Sequence, residues 1–305
     1  MAATTTPTPT PTPTSPRLVL DARRDVRSRK QIFMARLLAN RLAVLGGIIV
    51  ILLVLIAIFG PLFAPHDPLE MAMANQFKPP SRTHWMGTDD FGRDVLSRLI
   101  YGSRQSLMVG VVSIAIGATV GMTIGLISGY VGGRTDMVVQ RLIDVMLAFP
   151  DLLLALAIVA ILGPSLINVM IAVGIGSIPV YSRLIRGQVL ALKEKEYVES
   201  AQASGALPLR IIVAHILPNS LSPLIIMASL GIAGAILTGA ALSFIGMGAQ
   251  PPAPEWGAML SSGRSYLRHE WWIATFPGLA LAVTAFGFNL LGDGLRDALD
   301  PRTQD

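Results

Sequence analysis

The 305-residue sequence contains no cysteine and only four histidines. The missing cysteines exclude disulfides, thiolate metal sites and cysteine nucleophiles. The histidines never occur three or four residues apart, the spacing that places two ligands on one helix face; they are His66, His84, His215 and His269. Both absences disfavour a metalloenzyme.

Charged residues are also scarce. They make up 14% of the chain, against about 25% in soluble domains. Apolar residues reach 52% before the 29 glycines are counted. This composition disfavours a soluble globule and indicates a membrane protein.

The sequence further lacks the groups that would energise transport. A phosphate-binding loop requires Gly-x-x-x-x-Gly-Lys-Ser/Thr, and none of the four lysines has these neighbours. A proton relay places several acidic or histidine side chains within membrane spans, but only Asp144 and Asp151 fall at a suitable depth. We therefore expect energy for transport to come from a partner protein.

The amino-terminal region has an unusual composition. Residues 4–16 consist of threonine, proline and one serine, and proline both fixes φ and removes amide donors. Residues 17–41 then carry eight basic and two acidic residues. Such a block binds anionic lipid or nucleic acid, or it marks the cytoplasmic flank of a membrane span. We favour the flank, expect no nucleic acid to bind, and predict a disordered basic tail over residues 1–35.

Six apolar stretches are long enough to cross a bilayer as helices. They lie at residues 42–64, 106–130, 138–162, 166–190, 220–246 and 272–292. An even number of spans returns the carboxyl terminus to the side of the basic amino terminus. Connections on that side are enriched in arginine and lysine, which the positive-inside rule assigns to the cytoplasm. The pattern predicts an all-α membrane domain over residues 36–302 with both termini in the cytoplasm.

Glycines recur every four residues in the second stretch, at Gly117, Gly121, Gly125 and Gly129. This spacing places them on one helix face. In lipid, small residues allow helix backbones to approach closely. We predict a packing seam along this face.

The longest cytoplasmic connection, residues 191–219, is predicted to form two short helices. Gly205 suits the left-handed position that ends a helix, and Pro208 suits the first position of the next one. Pro218 is expected to close the second helix before the fifth span. Tyr197, Ala201 and Gly205 form a narrow face with small residues that suits a groove on a partner, although an amphipathic linker on the lipid surface gives the same periodicity.

Motifs in this connection and elsewhere resemble one transporter family. Glu199-Ser200-Ala201, Gly205 and Ile216-Leu217-Pro218 resemble the Glu-Ala-Ala loop of ABC importer permeases, with Ser200 where the family has alanine. Four further stretches resemble the dipeptide, oligopeptide and nickel branch, specifically its second or "C" permease subunit. They are residues 84–98 (HWMGTDDFGRDVLSR), 144–150 (DVMLAFP), 242–257 (LSFIGMGAQPPAPEWG) and 289–301 (NLLGDGLRDALDP).

The resemblance implies a type I importer permease fold of six transmembrane helices in a cell inner membrane. It implies a homologous "B" permease, two ABC ATPases that bind ATP and Mg²⁺, and an external solute-binding protein as partners. This chain itself is then expected to bind no cofactor or metal and to catalyse no reaction. The expected solute is a dipeptide or oligopeptide, and residues 191–219 would couple to the ATPases.

A dense group of charges lies between the first two spans. It comprises Gly87, Thr88, Asp89, Asp90, Gly92, Arg93 and Asp94. Three carboxylates suggest calcium, but the regular 12-residue loop spacing is absent and an arginine neutralises part of the charge. We favour an ion-pair network that holds an outer gate.

Two acidic residues near the third span remain open to interpretation. Asp144 stands three residues after Arg141, so the two can pair on one helix face. Such a pair is either functional or secures the fold. Asp151 follows Pro150 and can cap a helix that restarts beyond a kink.

Two other classes of membrane protein share the same composition. An ion-coupled secondary transporter would depend on a membrane carboxylate, and a structural scaffold would support no solute uptake. The motifs favour the importer permease, in which alternating access is driven from the cytoplasmic loops.

Overall fold

The computed structural model describes residues 29–299. This part of the chain is helical and contains no strand. Its helices are α1 (Arg29–Ala39), α2 (Arg41–Phe63), α3 (Val95–Val131), α4 (Gly133–Leu147), α5 (Asp151–Leu162), α6 (Leu166–Lys193), α7 (Glu196–Ala203), α8 (Pro208–Ile211), α9 (Leu217–Phe244), α10 (Trp256–Gly263) and α11 (Trp272–Leu299). A π-helical turn, Ile212–Ile216, joins α8 to α9.

The predicted number of spans is confirmed. Within the described residues, α2, α3, α6, α11 and the continuous helix Pro208–Phe244 are long and apolar enough to cross a membrane. The sixth span is the pair of α4 and α5, which meets the same criterion only when the two helices are taken together.

The prediction of one helix over residues 138–162 is wrong, because α4 and α5 meet at an angle of 92°. Pro150 has no amide hydrogen to continue the helix and restricts the conformation of Phe149 before it. The chain does restart as a helix at Asp151, but Asp151 occupies the first turn and Pro150 takes the cap position. The carboxylate therefore interacts with the helix dipole instead of capping the helix.

The predicted tail is also too long. Residues 29–35 belong to α1, whereas the threonine-proline segment lies outside the described residues. Asn40 separates α1 from α2, since its side-chain oxygen accepts hydrogen bonds from the amides of Leu42 and Ala43 at 3.1 and 3.2 Å. The Asn40 amide group also donates to Asp297 on α11 at 3.2 Å.

The helices enclose two apolar cores. One lies between α3, α5, α6 and α9 and includes Val159, Val169 and Ile185. The other lies between α2, α3, α9, α10 and α11 and includes Trp256 and Phe288. Because α3 and α9 contribute to both cores, they form the centre of the molecule.

The predicted glycine seam is confirmed. All four glycines of the stripe on α3 are buried, and they face α6. A Cβ atom on Gly121 would lie 2.7 Å from the Ile178 carbonyl oxygen, and one on Gly125 would lie 2.5 Å from the Ser182 carbonyl oxygen. Glycine thus permits direct backbone contact between the two helices.

Candidate functional site

The connection between the fourth and fifth spans forms a helical projection of α7, α8 and the π-helical turn. Gly205 has φ = +79° and ends the first helix, as predicted, because this left-handed conformation disfavours residues with a Cβ. Pro208 occupies the first turn of α8, also as predicted. The prediction that Pro218 closes the second helix is wrong, since the helix continues through it to Phe244.

The π-helical turn explains why Pro218 is tolerated. The Leu217 amide donates to Ile212, five residues earlier, so the wider turn ends just before the proline, which has no amide hydrogen of its own. The carbonyl oxygen of His215 accepts a hydrogen bond from the side-chain amide of Asn219 at 2.6 Å. The helix that begins at Pro208 therefore continues through the π-helical turn into α9 without a break.

The face predicted from Tyr197, Ala201 and Gly205 is only partly exposed. Tyr197 is exposed, but Ala201 packs against the core together with the fully buried Val198. The most exposed apolar side chains of the projection are instead Leu207 at 73% and Leu209 at 71%. Sequence reasoning missed these two leucines, although leucines that flank a helix-starting proline in a long connection are a signal that could have revealed them.

The remaining residues of the loop motif divide between surface and core. Glu199, Ser200 and Pro218 are exposed, Leu217 is half-buried and Ile216 is buried. Glu199 and Ser200 lie on α7, whereas Pro218 lies at the start of α9. Glu199 and Ser200 are polar, so the most exposed apolar surface of the projection comes from Leu207 and Leu209.

A cavity of about 220 Å³ lies within the helical bundle. Side chains from four helices line it, including Ile114 of α3, Ala155 of α5, Tyr181 of α6 and Thr238 of α9. Asp151 contributes the one carboxylate among the described lining residues. The bend between α4 and α5 places it there, at the first turn of α5.

The charge cluster lies where the loop after α2 meets the beginning of α3. The Arg93 Nε donates to Asp89 Oδ2 at 2.7 Å, and the Arg98 Nε lies 3.5 Å from the same oxygen. All three side chains are buried. Burial and the neighbouring Asp89 carboxylate raise the pKa of Asp90 above its ordinary value, against the opposing effect of Arg93.

The other members of the cluster shape its backbone. Gly87 and Gly92 have φ of +77° and +71°, and Thr88 accepts a hydrogen bond on its carbonyl oxygen from Trp272 Nε1 at 3.0 Å. Asp94 caps α3 by accepting from the Ser97 amide at 2.8 Å. The carboxylates do not converge as the calcium interpretation requires, whereas the ion pairs that we favoured are present.

Asp94 faces two histidines that sequence reasoning did not connect with it. Its Oδ1 lies 3.0 Å from Nδ1 of His84 and 3.7 Å from Nδ1 of His66. His66 follows α2 and is far from Asp94 in sequence, so no local spacing indicates the contact.

The proline-rich loop before α10 packs against the charge cluster. Its Pro252 carbonyl accepts from Arg98 Nη1 at 3.3 Å. Glu255 is buried and caps α10 through the amides of Gly257 and Ala258, both at 2.9 Å. Burial raises the pKa of Glu255 above its ordinary value, while these hydrogen bonds act to lower it.

The predicted pair of Arg141 and Asp144 is not formed. Asp144 instead binds Arg183 of α6 at 2.5 Å, and within the described residues Arg141 takes part in no ion pair. The reason is tertiary, since α4 packs beside α6 and brings Arg183 to the carboxylate. A second pair that the sequence did not reveal joins Asp136 of α4 to Arg186 of α6 through two hydrogen bonds of 2.6 Å.

The long apolar helices that surround the cavity define an all-helical membrane protein. Its fold is similar to that of a chain in the inward-facing MetNI methionine ABC transporter, with a TM-score of 0.53 and 18% sequence identity over 66% of this chain and 96% of that chain. At this identity the similarity concerns the fold alone.

Sequence comparison identifies the family. Residues 121–305 match the family described as binding-protein-dependent transport system inner membrane component, and residues 28–80 match the N-terminal transmembrane domain of oligopeptide transport permease C. The chain therefore belongs to the ABC importer permeases of the binding-protein-dependent family, as the C permease of its peptide branch.

Curated relatives match nearly the whole chain. The dipeptide transport system permease protein DppC of Alkalihalophilus pseudofirmus is 48% identical over 86% of each chain. The probable D,D-dipeptide transport system permease protein DdpC of Escherichia coli K12 is 48% identical over 86% of this chain and 88% of its own. The glutathione transport system permease protein GsiD of Pectobacterium atrosepticum is 45% identical over 92% and 93%. The chain is thus a transport subunit and not an enzyme, and the relatives give no support to an ion-coupled secondary transporter.

Proposed function

We propose that this chain forms half of the translocation pathway for a dipeptide- or oligopeptide-like solute. The observation that carries the proposal is the 45–48% identity, over most of their length, with permeases named for dipeptide, D,D-dipeptide and glutathione transport. These solutes share peptide bonds and terminal charges. The chain acts in the inner membrane, with both termini in the cytoplasm.

The cavity supports a pathway shared between two subunits. Its volume of about 220 Å³ is below the roughly 300–1,000 Å³ of a typical ligand pocket. A homologous B permease would supply the opposite wall. Asp151 then presents a carboxylate to the amino group of a peptide, an interaction that charge strengthens.

The helical projection supports docking to an ATPase. Leu207 and Leu209 offer apolar surface at its tip, and apolar anchors near the centre of an interface carry much of its binding energy. The helix that begins at Pro208 runs without interruption into the membrane. Closure of two ATPases would therefore move α9 directly.

Reconstitution into proteoliposomes tests the assembly. The complete set contains this chain, a homologous permease, two ATPases, an external binding protein, ATP and Mg²⁺, and each component is omitted in turn. We expect uptake of a labelled dipeptide only from the complete set, because this chain has no phosphate-binding loop and supplies half a pathway. Uptake by this chain alone under a proton or sodium gradient would contradict the proposal and favour a secondary transporter.

A further inference from the structure

His66, His84 and Asp94 lie together at one end of the bundle. One potential ligand atom from each residue lies within 4.8 Å of the others. The two imidazole rings are 4.7 Å apart between centroids and inclined by 31°. These three residues come from the loop after α2, the loop before α3 and the cap of α3, so only the folded chain assembles them.

The two oxygens of the Asp94 carboxylate make different contacts. Its Oδ2 accepts hydrogen bonds from the amide and the hydroxyl of Ser97, both at 2.8 Å. Its Oδ1 faces the two histidines. The helix cap therefore holds the carboxylate in place. Its Oδ1 lies at hydrogen-bond distance from His84 Nδ1, a contact that a bound metal ion would replace.

His66 is held at this position by its backbone. Its amide donates to the Ser97 hydroxyl at 3.1 Å, which in turn donates to Asp94. Nevertheless, its Nδ1 is buried and has no hydrogen-bond partner among the described residues. A buried polar atom without a partner is costly, and this one lies 3.7 Å from Oδ1 of Asp94.

We propose that His66, His84 and Asp94 bind a divalent transition-metal ion, with Zn²⁺ as the type ion. Two imidazoles and one carboxylate suit zinc, copper or nickel, whereas calcium and magnesium prefer oxygen ligands only. Ligands at ~2.0–2.1 Å from a tetrahedral zinc lie about 3.3 Å from each other. The distances of 3.0 and 3.7 Å from Asp94 to the two histidines bracket this value.

The site has room for entry and for a fourth ligand. His66 is 36% exposed in its side chain and borders an open cleft of about 670 Å³ that Asp67 and Gln105 also line. Water from this cleft can complete a tetrahedral set. The bound metal would fasten the end of α2 to the beginning of α3, independently of which solute the complete transporter carries.

Zinc binding by the purified full chain tests the proposal. The chain carries a tag without histidine, is stripped of metal with a chelator, and is titrated with Zn²⁺ against a chromophoric competitor. We expect one high-affinity zinc per chain, a higher melting temperature when zinc is present, and an X-ray absorption spectrum with nitrogen and oxygen ligands that include two imidazoles. The absence of cysteine from the sequence removes any competing thiolate.

His66→Ala is the informative variant, because the backbone amide that binds Ser97 is retained. We expect its zinc affinity to fall by more than the ~10–100-fold seen when a group behind a metal ligand is lost, with an unchanged melting temperature in the metal-free state. His84→Ala is the second variant and should lose affinity similarly. His269→Ala, at an exposed histidine outside the cluster, is the control and should bind zinc normally.

Three results would overturn the proposal. They are the absence of stoichiometric zinc in the wild-type chain, equal affinity in His66→Ala and wild type, and loss of zinc in His269→Ala. Any of them would leave the cluster as a hydrogen-bonded cap of α3 in which Ser97 and His84 hold Asp94.

Discussion

The contact between α3 and α6 makes a sharp prediction about Gly125. A Cβ atom at this position would lie 2.5 Å from the Ser182 carbonyl oxygen and 3.0 Å from the Arg186 amide nitrogen. Both are backbone atoms of α6, so they cannot rotate away as a side chain would. Gly125→Ala must therefore push the two helices apart along a seam that also contains Gly121.

The expected magnitude follows from two opposing effects. Overpacking of a well-packed interior costs about 1–3 kcal/mol, and a rigid backbone neighbour places this site towards the upper end. Alanine in place of glycine in a helix interior contributes about 1 kcal/mol in return. We expect a net loss of about 1–2 kcal/mol for Gly125→Ala.

Gly187 provides the matched control. It lies in α6 itself, and a Cβ atom there would meet nothing within 4 Å. Gly187→Ala should therefore show only the helix-propensity gain, with a melting temperature equal to or above that of the wild type. The assay is thermal unfolding of the full chain in detergent, followed by tryptophan fluorescence. If Gly125→Ala melts as Gly187→Ala does, the close backbone contact between α3 and α6 is refuted.

Three further predictions concern transport and topology. Reporter fusions near Lys78 should report the exterior and fusions after Arg302 the cytoplasm; an external carboxyl terminus would contradict the six-span topology. Gly205→Val should reduce uptake at normal membrane abundance, because a β-branched residue at φ = +79° is strained by roughly 1–3 kcal/mol. Asparagine tolerates this conformation, so Gly205→Asn should retain more uptake than Gly205→Val. Asp151→Asn should weaken uptake of a dipeptide with a free amino group more than that of its acetylated form, and equal effects on both would exclude contact with the amino group.

The number of membrane spans could be predicted because the length of an apolar stretch is a property of the local sequence. The residues at which the helices begin and end could not be predicted in this way. The second span was predicted to begin at residue 106, but α3 begins at Val95. Arg98 and Arg104 favoured a loop at this point. The structure buries Arg98 against Asp89 and two loop carbonyls, which is a tertiary effect that no local pattern contains.

In the candidate sites too, local features could be predicted from the sequence and tertiary contacts could not. Gly205 and Pro208 specify the turn of the projection through their own backbone preferences, so their roles were predictable. The presence of ion pairs in the charge cluster was also predictable, because its charged residues lie within one short segment. The contact between His66 and Asp94 depends on the packing of α2 beside α3, and the ion pair of Asp144 with Arg183 depends on the packing of α4 beside α6. Neither could be predicted from the local sequence.

The two ion pairs between α4 and α6 suggest how the bend at Pro150 could take part in a conformational change. Asp136 binds Arg186 and Asp144 binds Arg183, so α4 is fastened to α6 at two points. Since α6 leads into α7 of the projection, we expect a displacement of the projection to move α6 and α4 together. The bend would transfer this motion to α5, whose first residue, Asp151, lines the cavity. The arrangement thus links the surface proposed to meet an ATPase with the carboxylate proposed to meet the solute, through helices and ion pairs of this chain alone.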